Sequence, residues 1–200
     1  MRRLHIAPII EGHGEQSSVP ILLRRIWHEL LQCETGLNVL RPIRISRSKL
    51  VKLSEMIRAI DIAATNLKHA SNSDPSVILV LFDADDDLPC VLAPRLLDDI
   101  RRERAAHDVA LVIANVEYET WFVAAAESLA SFFEADAMSS IPDDPEAKRA
   151  GKGWVQHFAL AARYSEPLEQ PRMTAKLDLQ LCRSRSRSFD KLCRELATRC

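Results

Sequence analysis

Apolar positions along the chain alternate between two periods. Residues 4–10 form a nearly unbroken apolar run with β-branched members, the pattern of a strand buried on both faces. Over residues 19–31 the apolar positions Ile21, Leu22, Ile26 and Leu30 recur at helical spacing, with Ser17 or Ser18 as N-cap and Pro20 in the first turn. "LNVLRPIRI" is a second strand, which Pro42 places at an edge or a strand start. A long amphipathic helix comes next, capped by Ser46 or Ser48 and running through Leu50, Leu53, Ile57, Ile60 and Ala64 to the "SNSDP" turn.

The strongest strand signal is "SVILVLFDADDD", in which residues 77–82 are all apolar and the run stops at carboxylates. A helix is predicted over about residues 93–106, then a buried strand in "VALVIANV". "EYETWFVAAAESLASFF" reads as one helix with acids at its start, where the helix dipole favours negative charge. Strand–helix alternation of this kind predicts an α/β domain: a mainly parallel central sheet flanked by helices. Residues 134–153 lose periodicity and are expected to be a long surface loop; the remainder of the chain is helical and Arg-rich. The α/β core is thus expected in residues 1–133, with residues 134–200 a loop and helical extension packed on the same domain.

Composition adds limits. A chain of 200 residues, 47% hydrophobic and 28% charged, is long enough for one globular core. The net charge of −1 gives no bulk attraction to nucleic acid, although arginines cluster locally. No apolar stretch approaches a membrane span and no secretory signal is present, so a cytoplasmic protein is expected. Five cysteines without CxxC pairing are expected to be free thiols.

The candidate chemistry lies at strand ends. In a parallel sheet all carboxyl ends share one edge, where ligands bind. Here the first strand ends at Glu11, the "SVILVLFD" strand at Asp83, and the "VALVIA" strand leads into Glu117 and Glu119. In an extended segment Asp83, Asp85 and Asp87 point the same way. Clustered carboxylates repel unless a cation joins them, and hard divalent ions take oxygen ligands. The expectation is therefore a Mg²⁺ or Mn²⁺ site. In "EGHGE", Gly12 and Gly14 leave room for close approach of a phosphate or metal, Glu15 opens the next helix, and His13 is a candidate substrate contact.

Strand–"EGHGE" followed by "VLFDADDD" resembles the Toprim domain of topoisomerases, primases and OLD-type nucleases. The segments "IIEGHGEQSSVPILLRRI", "VLVLFDADDDLPC", "VIANVEYETWFVAAAESL" and "MTAKLDLQLCRSRSRSFDKLCREL" are similar to a Toprim-like group of the DUF4276 type. The resemblance implies a Toprim (Rossmann-like) fold and a Mg²⁺- or Mn²⁺-dependent nuclease, often paired with an AAA- or ABC-type ATPase in defence or mobile-element systems. It implies Glu11, Asp83 and Asp85 as catalytic acids and metal ligands, with Glu119 completing a second metal site; from their own positions in the sequence, Glu15 and Asp87 join the expected metal set. A late lysine is also implied, for which Lys152 and Lys176 compete, with Lys176 preferred because it lies in the recognisable C-terminal segment.

"RSRSRSFDKLCREL" places Arg183, Arg185 and Arg187 as candidate phosphate contacts, beside His13, at the capped start of a helix. Two other readings stand beside the nuclease. "VLVLFDADDD" also resembles the strand-end motif of haloacid-dehalogenase-type phosphatases, although that motif is usually on the first strand. The other alternative is a non-catalytic, metal-binding partner subunit of an ATPase. DNA or RNA as substrate, and the oligomeric state, stay open.

Overall fold

The computed structural model describes residues 2–71, 73–147, 151–161 and 164–200. Five strands form one parallel sheet: β1 (Arg3–Ile10), β2 (Gly36–Val39), β3 (Ile43–Arg44), β4 (Ser76–Asp83) and β5 (Val109–Ala114). The order is β2-β1-β4-β5, and β3 continues beside β1 where β2 leaves it. Pro42 interrupts this edge, since proline has no N–H to give a ladder. Ile10 pairs with Leu81, and Phe82 with Ile113, so β1, β4 and β5 end nearly level.

Helices cover both faces. On one lie α1 (Glu15–Arg25), prolonged by a π-helical turn (Ile26–Leu30), and the C-terminal helices α7 (Glu166–Thr174), α8 (Leu179–Arg185) and α9 (Arg187–Ala197). Ile6, Leu79 and Val112 meet Leu22, Trp27, Phe189 and Leu192 there. On the other, α2 (Arg47–Leu50), α3 (Leu53–Ser71) and α4 (Pro89–Glu103) bury Ile9, Val80 and Phe82 under Met56, Ile60 and Leu96. Alternate strand residues serve opposite faces, and both faces are apolar because both are covered. The α/β class with a mainly parallel sheet flanked by helices is as expected. No described helix is long and apolar enough to cross a membrane.

Several local expectations are corrected. α1 begins at Glu15, so Ser17 and Ser18 lie inside it; Ser18 Oγ donates to the Gly14 carbonyl at 2.9 Å instead of capping. Pro20 likewise falls within the helix, past its first turn. The long helix after β3 is two, α2 and α3, with Ser46 at the N-cap of α2. α4 starts at Pro89, earlier than expected, because proline suits a first turn. The "EYETWF" segment breaks into α5 (Thr120–Ala124) and 3₁₀ turns at Ala126–Phe132. Residues 120–126 are buried all round while Glu127, Ala130 and Ser131 are exposed, so no single apolar stripe runs through to select one long helix.

Residues 134–153 are not one surface loop. A 3₁₀ segment spans Ala135–Ser140, α6 (Gly151–Phe158) begins near the end, and Glu146 is buried between them; residues 148–150 lie outside the described residues. Cys33 and Cys200 are disulfide-bonded, contrary to the free thiols expected. α9 packs beside the π turn and brings their Cα atoms to 5.3 Å, within bonding reach across 167 residues, which spacing could not reveal. Cys90, Cys182 and Cys193 are free.

Candidate metal centre

Three strand ends carry acids to one edge. Glu11 follows β1, Asp83 closes β4, and the turn after β5 leads through Glu117 to Glu119 at the start of α5. That turn is strained: Val116 adopts φ 62°, costly for a β-branched residue, while its carbonyl accepts the Asp85 N–H at 2.9 Å. The bond ties the β5 turn to the β4 turn. Asp83 is half-buried, and its Oδ1 accepts the Tyr118 N–H at 2.9 Å.

Glu15 reaches back from α1 under the first turn, where its Oε2 accepts the Glu11 N–H at 3.1 Å. Glu119 Oε1 accepts from the Tyr164 hydroxyl at 3.0 Å and from Gln170 Nε2 at 2.9 Å. Glu117 accepts the Lys152 N–H at 2.6 Å, at the start of α6, and the Lys152 ammonium pairs with Glu166. Two oxygens of the site are buried without a hydrogen-bond partner among the described residues: Glu11 Oε2, on a carboxylate, and Gln170 Oε1.

The electrostatics stem from burial. Glu11 is raised above the ordinary carboxylate range by desolvation and by Asp85, opposed by the backbone of Asp83 and Arg47. Glu15 is pushed up to about 7 by burial first, then by Glu11 and Glu119. Asp83 is raised well above its usual value by burial, then by Glu15, Glu119, Glu11 and Glu117. Burial also raises Glu119, against its hydrogen bonds from Gln170 and Tyr164. Mutual repulsion among buried carboxylates is what a cation would relieve.

Among the described residues, no three carboxylate, imidazole or thiol groups stand close enough to hold an ion as they are. The acids ring the end of the sheet. Glu11, Asp83, Glu15 and Glu119 fit a divalent cation in chemistry, being hard oxygen donors with one buried oxygen left unpartnered.

Asp85 and Asp87 are placed differently from expectation. The strand stops at Asp83, and Asp85 takes a left-handed φ of 51°, so the three aspartates do not share one extended face. Arg47 clamps the turn: its guanidinium donates to the carbonyls of Asp83 (3.0 Å) and Ala84 (2.9 Å), approaches Asp85 at 3.2 Å and pairs with Asp87. Asp85 stays near enough to Glu11 to raise it.

The two competing lysines separate clearly. Lys152 is close enough to feel Glu117 and Glu119. Lys176 lies over the Phe132 ring at 5.3 Å, beside Arg172, and takes no part in the acid cluster. His13 is exposed at the mouth of the β1–α1 turn. Arg183 pairs with Asp190, and Arg185 with Glu127 and the Ala124 carbonyl. Arg187 is exposed on the first turn of α9.

The room at the glycines is used by protein. A Cβ on Gly14 would stand 2.1 Å from Gln170 Oε1 and 2.7 Å from the Glu166 carbonyl, so α7 needs glycine there in order to approach. A Cβ on Gly12 would crowd the Glu15 carboxylate at 2.8 Å. Sequence reasoning missed Arg47, Tyr164, Glu166 and Gln170. Only the surplus of acid hinted that counter-charge and donors had to come from elsewhere.

No curated protein and no solved structure matched the chain. A family model described as a domain of unknown function, DUF4276, matches residues 10–197, which takes in every acid of the site. The chain belongs to the DUF4276 family.

Proposed function

We propose that the protein is a Toprim-like, divalent-metal-dependent nuclease that hydrolyses phosphodiester bonds in DNA or RNA. The observation that carries this reading is the unpartnered buried oxygen of Glu11, set among Asp83, Asp85 and Glu15 at one sheet edge. Buried carboxylates alone would repel a phosphate, so an anionic substrate needs positive charge here. The resemblance of "EGHGE" and "DADDD" to Toprim motifs points to the same acids.

Mg²⁺ or Mn²⁺, when bound, would supply charge neutralisation at the attacked phosphate and a more acidic water. Glu11 and Asp83 are the primary holders, with Glu15, Glu119 and Asp85 around them. Tyr118 N–H orients Asp83; Tyr164 and Gln170 orient Glu119. Arg47 fixes the turn and spreads its charge over Asp85 and Asp87. Lys152 takes the role of the late lysine, replacing Lys176, by adding positive potential beside Glu117 and Glu119. His13 meets substrate at the mouth. Arg183 and Arg185, engaged in ion pairs with Asp190 and Glu127, are secondary candidates for phosphate contact. An ATPase partner completes the proposal.

The test is cleavage of plasmid DNA and of a structured RNA by wild type, Glu11→Gln and Asp83→Asn, with Mn²⁺ or chelator, with and without a neighbouring-gene ATPase. Metal-dependent cleavage that falls about a hundredfold or more in both variants is expected. Hydrolysis of a chromogenic phosphomonoester with no nicking would instead favour the phosphatase reading. Metal uptake without cleavage in any combination would favour the partner-subunit reading.

A further inference from the structure

The free edge of the sheet carries a different feature. β5 ends the strand order, so among the described residues one of its sides has no strand beside it. The bonds Ile78 N–H to Asp108 O and Ala84 N–H to Ala114 O fix which residues face β4. Parallel ladders alternate, so Ala110, Val112 and Ala114 turn their main-chain groups toward β4, and Val109, Leu111 and Ile113 turn theirs outward. No described residue bonds the outward N–H or C=O of Leu111 or Ile113. As whole residues they are only 2% and 3% exposed, because their side chains lie in the core on the α4 side. Main-chain groups are nearly always paired with protein or water; these have no protein partner among the described residues and so offer an edge to an added strand.

They open onto a cavity of about 400 Å³ between the start of α4 and the start of α9. Its α4 side is apolar, with Leu88 and Ala93 above Leu111 and Ile113, and its α9 side presents Arg187, Lys191 and Arg194. Leu88 is 62% exposed and Val91, one turn along α4, 64%. Lys191 and Arg194 already pair with Glu195 and Asp190, whereas Arg187 makes no ion pair among the described residues.

We propose that this groove receives an extended peptide segment of a partner protein, added beside β5 as a further strand and carrying alternating apolar and acidic side chains. Alternation comes from the strand period: successive side chains would face α4, which is apolar, and α9, which is basic. The main chain of the segment would satisfy Leu111 and Ile113. A second copy of this chain fits less well, because a two-fold edge pairing sets Arg187, Lys191 and Arg194 against themselves. Nucleic acid would leave the apolar wall unused.

The test uses the whole protein and a fluorescent peptide of about ten residues alternating valine with aspartate or glutamate. Controls are the same peptide with lysine for the acids, the same peptide with alternate backbone amides methylated, and a single-stranded oligonucleotide of similar length. Binding is read by anisotropy, and amide exchange is followed at Leu111 and Ile113. The acidic peptide is expected to slow exchange at both amides about tenfold or more, and both modified peptides to bind about tenfold more weakly. Arg187→Glu combined with Lys191→Glu, both on the helix surface, should weaken the acidic peptide by a similar factor. Unslowed exchange at both amides, equal binding of the lysine peptide, or tighter binding of the oligonucleotide would overturn the proposal. So would a concentration-dependent dimer that protects the two amides without peptide.

Discussion

The Glu15 carboxylate lies under the β1–α1 turn and faces Glu11 and Glu119, and burial with those neighbours lifts its pKa from 4.5 to about 7. An acid raised in the folded state stabilises the fold while protonated. Its contribution is full below the unfolded value near 4.5 and is lost as pH rises through about 7. Asp83 and Glu119 are raised too and act in the same direction. Metal-free protein should therefore lose thermal stability from about pH 5 to about pH 8, by on the order of 3 kcal/mol for Glu15 alone. Calorimetry in chelator should show Tm falling over that range, Glu15→Gln flattening the fall, and Mn²⁺ restoring Tm at the upper end. A flat or rising Tm would contradict this electrostatic account. At Gly14, alanine would drive a methyl into Gln170 and the Glu166 carbonyl. Gly14→Ala should cost roughly 1–3 kcal/mol in urea unfolding and free the Glu119 side chain from its donor.

At the scale of elements, α7 forms the far wall of the site through contacts that no local pattern announces. Tyr118 Oη meets Thr174 Oγ1 at 3.1 Å, and Arg25 donates to the carbonyls of Thr174 and Leu177. Gln170 then reaches Glu119. Glu11, Asp83 and Glu119 were legible because a parallel sheet delivers its strand ends to one edge. Arg47, Tyr164 and Gln170 were not, because their partners lie between 36 and 51 residues away in sequence. Glu146 teaches the same lesson. It lies in a stretch without periodicity, yet its Oε1 accepts from Ser186 Oγ at 2.6 Å and from Ser188 N–H at 2.9 Å, and so holds the start of α9. Trp121 Nε1 joins this group through Ser188 Oγ at 2.8 Å. Glu146→Ala should destabilise the protein by roughly 2–4 kcal/mol in urea unfolding, more than loss of an exposed cap would, because buried donors lose their acceptor.

Across the whole molecule, the fold class could be read from four apolar runs and the helical periods between them, since both faces of each central strand are covered. The C-terminal helices share one core with β1, β4 and β5 through Phe189, Leu192 and Leu196. Gln170 of α7 and Tyr164 just before it supply the donors that orient Glu119, so the acid site depends on both ends of the chain. What the sequence hid was long-range: the Cys33–Cys200 bond, the Arg47 clamp and the split of the "EYETWF" segment. The central claim is that acids from three strand ends share a divalent cation. Isothermal titration of chelator-treated protein with Mn²⁺ near neutral pH, comparing wild type with Glu11→Gln and Asp83→Asn, tests it directly. Saturable uptake at millimolar metal or below in wild type, lost or weakened at least about tenfold in both variants, is the predicted result. No uptake by the wild type, or uptake unchanged in both variants, would contradict it.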